Sequence, residues 1–262
     1  MQTFVKAWLS SLGAYVVSIS SGIGSFVLFF NRAFKTAYTR APSMHKILVQ
    51  MECIGLESFN IIFLTGTFAG MVFALQTYIG FQRVGGEQFI GSVIALGMIR
   101  ELGPVLTGLM VTGRAGSAIA AEIGTMKITE QIDALSTLGI DPYSYLIVPR
   151  IIAGTIVMPF LTLFAMACGI VGGYIVCVNV LMLSPHDYVT TIAMHVELSD
   201  IMGGIFKAGV FGLILSWVGA FKGFKTHGGA KGVGIATTQA VVTGSIMILM
   251  SNYFLTKLLE RL

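Results

Sequence analysis

Apolar runs separated by short polar connections set the architecture of this chain. They lie near Leu56 to Phe81, Phe89 to Ala118, Leu146 to Leu183, Ile201 to Phe221 and Ala236 to Leu259. Each supplies the roughly 20 residues that a helix needs to cross a hydrocarbon core about 30 Å thick, and the longer runs predict tilted or broken helices. A further segment, Leu12 to Phe30, is interrupted by Ser18, Ser20, Ser21 and Ser25 and followed by Asn31, Arg32, Lys35 and Arg40. That mixture favours an amphipathic helix lying in the membrane interface, with a sixth span as the alternative. Between the second and third runs, Ile128, Ile132, Leu135 and Leu138 recur at helical spacing, with Thr129 placed to cap the start and Gly139 to stop the end. The segment from Lys127 to Leu138 is too short and too polar to span, so it lies between two spans, where it can dock onto something in the cytoplasm.

The predicted fold class is therefore an all-α polytopic membrane protein. Five transmembrane helices follow an N-terminal interfacial amphipathic helix, and a short cytoplasmic helix covers about 127–139. Residues 1–55 form the interfacial helix and an elbow, and residues 56–262 form the five-span domain. The Lys and Arg positions orient it. With the first span leaving the cytoplasm, Arg32, Lys35, Arg40, Lys46, Lys127, Lys222, Lys225 and Lys231 all fall inside. The connection from Ser184 to Asp200, which holds no Lys or Arg, then faces outward. Lys257 and Arg261 at the C-terminus run against the rule and are partly offset by Glu260.

Composition agrees. Of 262 residues, 55% are hydrophobic and 11% charged, with a mean hydropathy of +0.85, against roughly 25% charged in soluble domains. The formal net charge of +4 fits basic cytoplasmic loops and contains no basic run suited to nucleic acid. Cys53, Cys168 and Cys177 form no C-x-x-C and have no neighbouring His, so they read as small hydrophobes. The first thirty residues lack the plan of a cleaved signal peptide, which predicts that they stay on the mature protein. Glycines three or four residues apart, such as Gly66 with Gly70, Gly113 with Gly116, Gly169 with Gly172 and Gly173, and Gly209 with Gly212, predict closely packed helices. The run Gly228-Gly229-Ala230-Lys231-Gly232-Val233-Gly234 lacks the strand and the G-K-[ST] ending of a phosphate loop. No H-E-x-x-H, G-x-S-x-G or Walker motif occurs, which argues against an enzyme. The abundant Met, including Met71, Met98, Met110, Met158 and Met166, suits either ordinary packing or a wall that adapts to varied apolar groups.

The candidate chemistry lies inside the second run. Arg100 and Glu101 sit about a dozen residues into it, and Lys207 lies seven residues beyond Asp200 in the fourth. At about 1.5 Å per residue both sites are roughly 10 to 18 Å from the outer face, so they can meet across the bundle. Ionised groups at that depth are costly. An intramembrane pair there either binds a polar headgroup or holds helices together, and a buried pair is weak grounds for stability. Arg114, Glu122 and Lys127 fall near the inner surface, where snorkelling is easy.

Several runs together carry a family resemblance: Arg100-Glu101-Leu102-Gly103-Pro104-Val105-Leu106, Gly113-Arg114, Ala120-Ala121-Glu122-Ile123-Gly124-Thr125-Met126-Lys127, Glu130-Gln131-Ile132-Asp133-Ala134-Leu135, Pro149-Arg150, Lys207-Ala208-Gly209-Val210-Phe211-Gly212 and Gly234-Ile235-Ala236-Thr237-Thr238-Gln239-Ala240-Val241-Val242. The chain resembles the MlaE permeases, the membrane subunits of ABC transporters that move phospholipid between the bacterial inner membrane and the cell envelope. The resemblance implies a homodimer in the inner membrane, working with an MlaF-type ATPase, an MlaD-type MCE-domain protein in the periplasm and, in some systems, an MlaB-type STAS protein. ATP and Mg would be bound by the ATPase, leaving no cofactor in this chain. It likewise implies Arg100, Glu101 and Lys207 along the glycerophospholipid path, and Glu130, Asp133 and Leu135 as the ATPase-coupling residues. The order Asp133-Ala134-Leu135, Gly139, Pro149 loosely follows the acidic-Ala-Ala, Gly, Pro loop by which many ABC permeases touch their ATPase, with a shorter interval from Gly to Pro. Where relatives carry an Asp in the last span, this chain has Asn252. The alternative is an ion-coupled secondary transporter or channel with no ATPase partner, which the docking helix and the odd number of spans without an internal repeat disfavour.

Overall fold

A computed structural model describes residues 2–39, 42–83 and 85–260. Five helical stretches are long and apolar enough to cross a membrane: Met44–Gln82, Glu87–Ile128, Tyr143–Asn179, Leu198–Phe224 and Gly229–Leu259. The chain is a multi-pass, all-α membrane protein. Ahead of these stretches runs one continuous helix, α1 (Gln2–Thr39).

The first stretch begins twelve residues before the run expected from hydropathy. Helix α2 (Met44–Gly55) passes through a 3-10 turn, Leu56–Ser58, into α3 (Phe59–Gln82). The polar residues that masked this extension, Glu52 and Glu57, lie at the break and on the surface rather than in the core. The second stretch is the most irregular. Helix α4 (Ile90–Gly97), a π turn at Met98–Leu102, α5 (Gly103–Val111), a π turn at Thr112–Gly116 and α6 (Ser117–Ile128) follow one another without leaving helical geometry. Both π turns contain ionisable residues, Arg100 with Glu101 in the first and Arg114 in the second. Single π turns inside α-helices are often found at functional sites.

Between α6 and the third stretch sits α7 (Gln131–Thr137). It is shorter than the helix expected over 127–139, because Lys127 and Ile128 belong to α6 and the chain breaks at Glu130, whose φ is +58°. Glu130, not Thr129, is the residue ahead of the helix. Gly139 ends α7 as expected, at φ +74°, with Gly139 N–H donating to Ser136 O and Ile140 N–H to Leu135 O. That double closure is a Schellman motif, and its left-handed residue is cheapest as Gly.

A π turn, Tyr143–Ile147, leads into α8 (Val148–Asn179). A short helix, α9 (Pro185–His195), then precedes α10 (Leu198–Phe224), and α11 (Gly229–Leu259) completes the bundle. Helix α8 is the hub, packed along both α3 and α10. Small residues set these seams. A Cβ on Gly70 would fall 1.9 Å from Gly169 O, and one on Gly212 would fall 2.2 Å from Gly154 O, so backbones touch where any side chain would hold them apart. Gly113, by contrast, faces open space. Cys53, Cys168 and Cys177 are free, and Cys177 is fully buried.

The later part of α1 meets the bundle at the end that carries α7. Phe26 stacks on Trp217 with centroids 4.0 Å apart, and Phe29 contacts Tyr143, Phe221 and Phe224. Arg32 lies 4.5 Å over the Tyr143 ring. The side chains of most of residues 2–19, where much of the doubtful 12–30 segment lies, fall outside the described set. Outward faces of α3 and α11 carry large exposed apolar residues, among them Phe63, Phe68, Leu249 and Phe254, as a bilayer or a second membrane subunit requires.

Candidate functional site

The polar centre lies where the π turn of the second span meets α10 and α11. Pro104 has no N–H to give to the carbonyl of Arg100 four residues earlier, so that oxygen is open to another donor. Lys207 Nζ fills the vacancy at 2.8 Å. The same ammonium donates to Glu101 Oε1 and to Thr256 Oγ1, each at 2.7 Å. An ammonium has three protons, so Lys207 is saturated; its side chain is 3% exposed. Glu101 is bound from several sides, because its other oxygen accepts from Asn252 Nδ2 at 2.8 Å and Thr256 Oγ1 lies 2.8 Å from Oε1. One π turn thus converts a missing helical bond into a link among three spans.

Of the three residues expected on the substrate path, the structure joins Glu101 to Lys207 and gives Arg100 a different side-chain partner. Arg100 pairs with Asp200, Nε to Oδ1 at 2.7 Å and Nη2 to Oδ1 at 2.6 Å. Asp200 was expected in the outward connection. It is instead the fourth residue of a capping box, where Oδ2 accepts from the Glu197 N–H at the start of α10. Glu197-x-x-Asp200 departs from the Ser/Thr-x-x-Glu form of that box, so the sequence pattern does not announce it. Thr256 carries no signal either, since one Thr in an apolar helix resembles any other. Exposure divides the cluster: the Arg100 side chain is 57% exposed and Glu101 38%, whereas Asp200 and Lys207 are buried. Arg100 and Glu101 can meet a ligand, and Asp200 and Lys207 hold them in place. Asn252 Oδ1 is buried with no hydrogen-bond partner among the described residues.

At the opposite end, the residues around α7 are tied by ion pairs. Lys127 Nζ lies 3.1 Å from both Asp133 oxygens, which fixes α7 to α6. Arg150, whose side chain is buried, reaches Glu122 at 2.6 Å and donates to Leu146 O. Arg114 bonds Glu57, the Ser58 hydroxyl and the carbonyl of Cys53, locking the second π turn onto the break in the first span. Among the expected coupling residues, Glu130 and Asp133 are exposed, but Leu135 packs against the core. Leu138, 73% exposed, presents the apolar surface instead.

The family model described as Permease MlaE matches residues 47–258. The chain belongs to the MlaE permease family. Among similar sequences, a probable ABC transporter permease protein of Rickettsia conorii is 46% identical over 95% of this chain and 96% of its own length. The intermembrane phospholipid transport system permease protein MlaE of Haemophilus influenzae is 36% identical over 96% of this chain and 97% of its own. The chloroplastic protein TRIGALACTOSYLDIACYLGLYCEROL 1 of Arabidopsis thaliana is 41% identical over 79% of this chain and 59% of its own. This MlaE-family chain is thus a transport subunit, not an enzyme. Both charged clusters, the one centred on Glu101 and the one around α7, fall inside the matched region.

Proposed function

We propose that the chain is the membrane subunit of an ATP-driven transporter that moves glycerophospholipid between the bacterial inner membrane and a periplasmic MCE-domain protein. The observation that carries this reading is the half-exposed Arg100 beside Glu101, held in the second span by buried Asp200 and Lys207. A headgroup leaving water needs charged and hydrogen-bonding partners, and this pair offers both signs within one turn. The name of the Haemophilus relative supports the choice of substrate.

The energy would come from an MlaF-type ATPase holding ATP and Mg, docked on the exposed face of α7 through Glu130, Asp133 and Leu138. A homodimer would enclose the path, with an MlaD-type partner on the outer side and an MlaB-type STAS protein on the ATPase. Residues 1–55 would serve as interfacial helix and elbow, and residues 56–262 as the permease domain. Co-expression with an MlaF-type ATPase, purification and reconstitution test the reading. The expected result is a stable complex whose lipid transfer depends on ATP hydrolysis. Transfer that follows an ion gradient and ignores nucleotide would establish the ion-coupled alternative.

A further inference from the structure

A groove stands apart from the Glu101 cluster, at the α7 end of the bundle. It opens between α1, α10 and α11 with a volume of about 630 Å³, within the range of pockets that take small ligands. Along α11 it extends from Gly232 to Met247, about 22 Å of helix at about 1.5 Å per residue. Its two ends differ in chemistry. Lys222, Lys225 and His227 line one end with the Phe221 ring beside them, and Phe26 and Met247 line the rest.

Among the described residues no carboxylate pairs with the charge at the basic end. Of these residues, Lys222 Nζ bonds the neutral Gln239, at 3.3 Å, and Lys225 Nζ sits 4.9 Å over the Phe221 ring. No carboxylate is among the described residues that line the groove. Both lysines lie where α10 ends, Lys222 in its last turn and Lys225 just past Phe224. A soluble anion would use the lysines and leave the apolar length unfilled. An anionic lipid fills both, with its phosphate at the lysines and an acyl chain along Phe26 and Met247.

We propose that this groove binds an anionic glycerophospholipid of the cytoplasmic leaflet, headgroup on Lys222 and Lys225, at a site distinct from Arg100 and Glu101. The proposal relies on the lipid-transport reading only for which leaflet faces the groove.

Trp217 provides the probe, because it stacks on Phe26 at the groove wall and Trp8 is the chain's other Trp. In a Trp8→Phe background, the full chain is reconstituted in phosphatidylcholine vesicles containing brominated phosphatidylglycerol or brominated phosphatidylcholine, and quenching of Trp217 is read. The anionic lipid is expected to quench more strongly. Lys222→Gln with Lys225→Gln should abolish the excess, and Lys225→Gln alone, at an exposed position, should reduce it in a folded protein. Equal quenching by the two lipids, or an excess that survives the double substitution, overturns the proposal. Inorganic phosphate should leave the excess unchanged; its loss would show that the basic end holds free phosphate instead. Because the readout is binding, it stands separately from transport: absence of ATP-dependent transfer alongside intact selective quenching would refute the transporter reading and leave this site in place.

Discussion

Lys207 donates from Nζ to the carbonyl oxygen of Arg100 at 2.8 Å, the acceptor that Pro104 cannot serve. This contact places a cation from α10 against the backbone of the second span, beside the carboxylate it neutralises. It also spends all three ammonium protons inside the protein, which makes Lys207 a positioning residue and leaves Arg100 as the exposed cation of the cluster.

Lys207→Met removes three hydrogen bonds and leaves Glu101 without its cation. Removing one member of a buried pair costs about 3–5 kcal/mol. With 38% of the Glu101 side chain exposed, water takes up part of that loss, and roughly half is expected. The double variant Glu101→Gln, Lys207→Met strands no charge, so its melting temperature should return toward wild type while lipid transfer stays low. Full transfer by the double variant would rule out a role for the Glu101 charge in headgroup binding.

Asn252→Leu takes one donor from Glu101 Oε2 and replaces an amide whose own oxygen has no partner among the described residues. A buried acceptor left unmet costs about 1–3 kcal/mol, and the low end is expected because Lys207 and Thr256 still hold the other oxygen. Thermal unfolding in detergent would show a drop of a few degrees, smaller than that of Lys207→Met.

Gly70→Leu should prevent α3 from seating on α8. Overpacking a core costs about 1–3 kcal/mol when side chains can adjust, and here the obstacle is the Gly169 backbone, 1.9 Å from the new Cβ. The yield of folded protein should collapse on size-exclusion chromatography. Gly113→Leu, which adds bulk into open space, is the control and should fold normally in detergent.

Leu138→Asp and Asp133→Lys should uncouple ATP hydrolysis from lipid transfer without unfolding the bundle. Leu138 is exposed, and the exposed Lys127–Asp133 pair is worth at most about 1 kcal/mol. Leu135→Asp should behave differently and lower stability, since that side chain packs on the core. Unchanged ATPase co-purification and unchanged coupled transfer in Leu138→Asp and Asp133→Lys would eliminate α7 as the docking helix.

A Cys at position 20 reports on the N-terminal helix. Ser20 is exposed, so the thiol will be free to react wherever reagent reaches it. With the helix on the cytoplasmic face, an impermeant maleimide applied from the periplasm should not label Ser20→Cys in intact cells. Labelling from that side would show that the helix crosses the membrane.

The sequence by itself determined how many helices are long and apolar enough to cross, because the requirement is one of length and composition that each run meets alone. It also showed that Glu101 and Lys207 lie at matching depth, since helical rise converts position into height, and that Gly139 ends the helix after the second span. Tertiary structure decided the partners. Arg100 turns to Asp200 because a π turn shifts its direction and a capping box holds Asp200 at the top of α10, and no periodicity in either segment records the angle between them. The same holds at α7. Leu135 and Leu138 share a helical spacing, and only the way that helix packs on the bundle half-buries one and leaves the other exposed. Length and polarity act locally along a chain, whereas the pairing of charges depends on how helices cross.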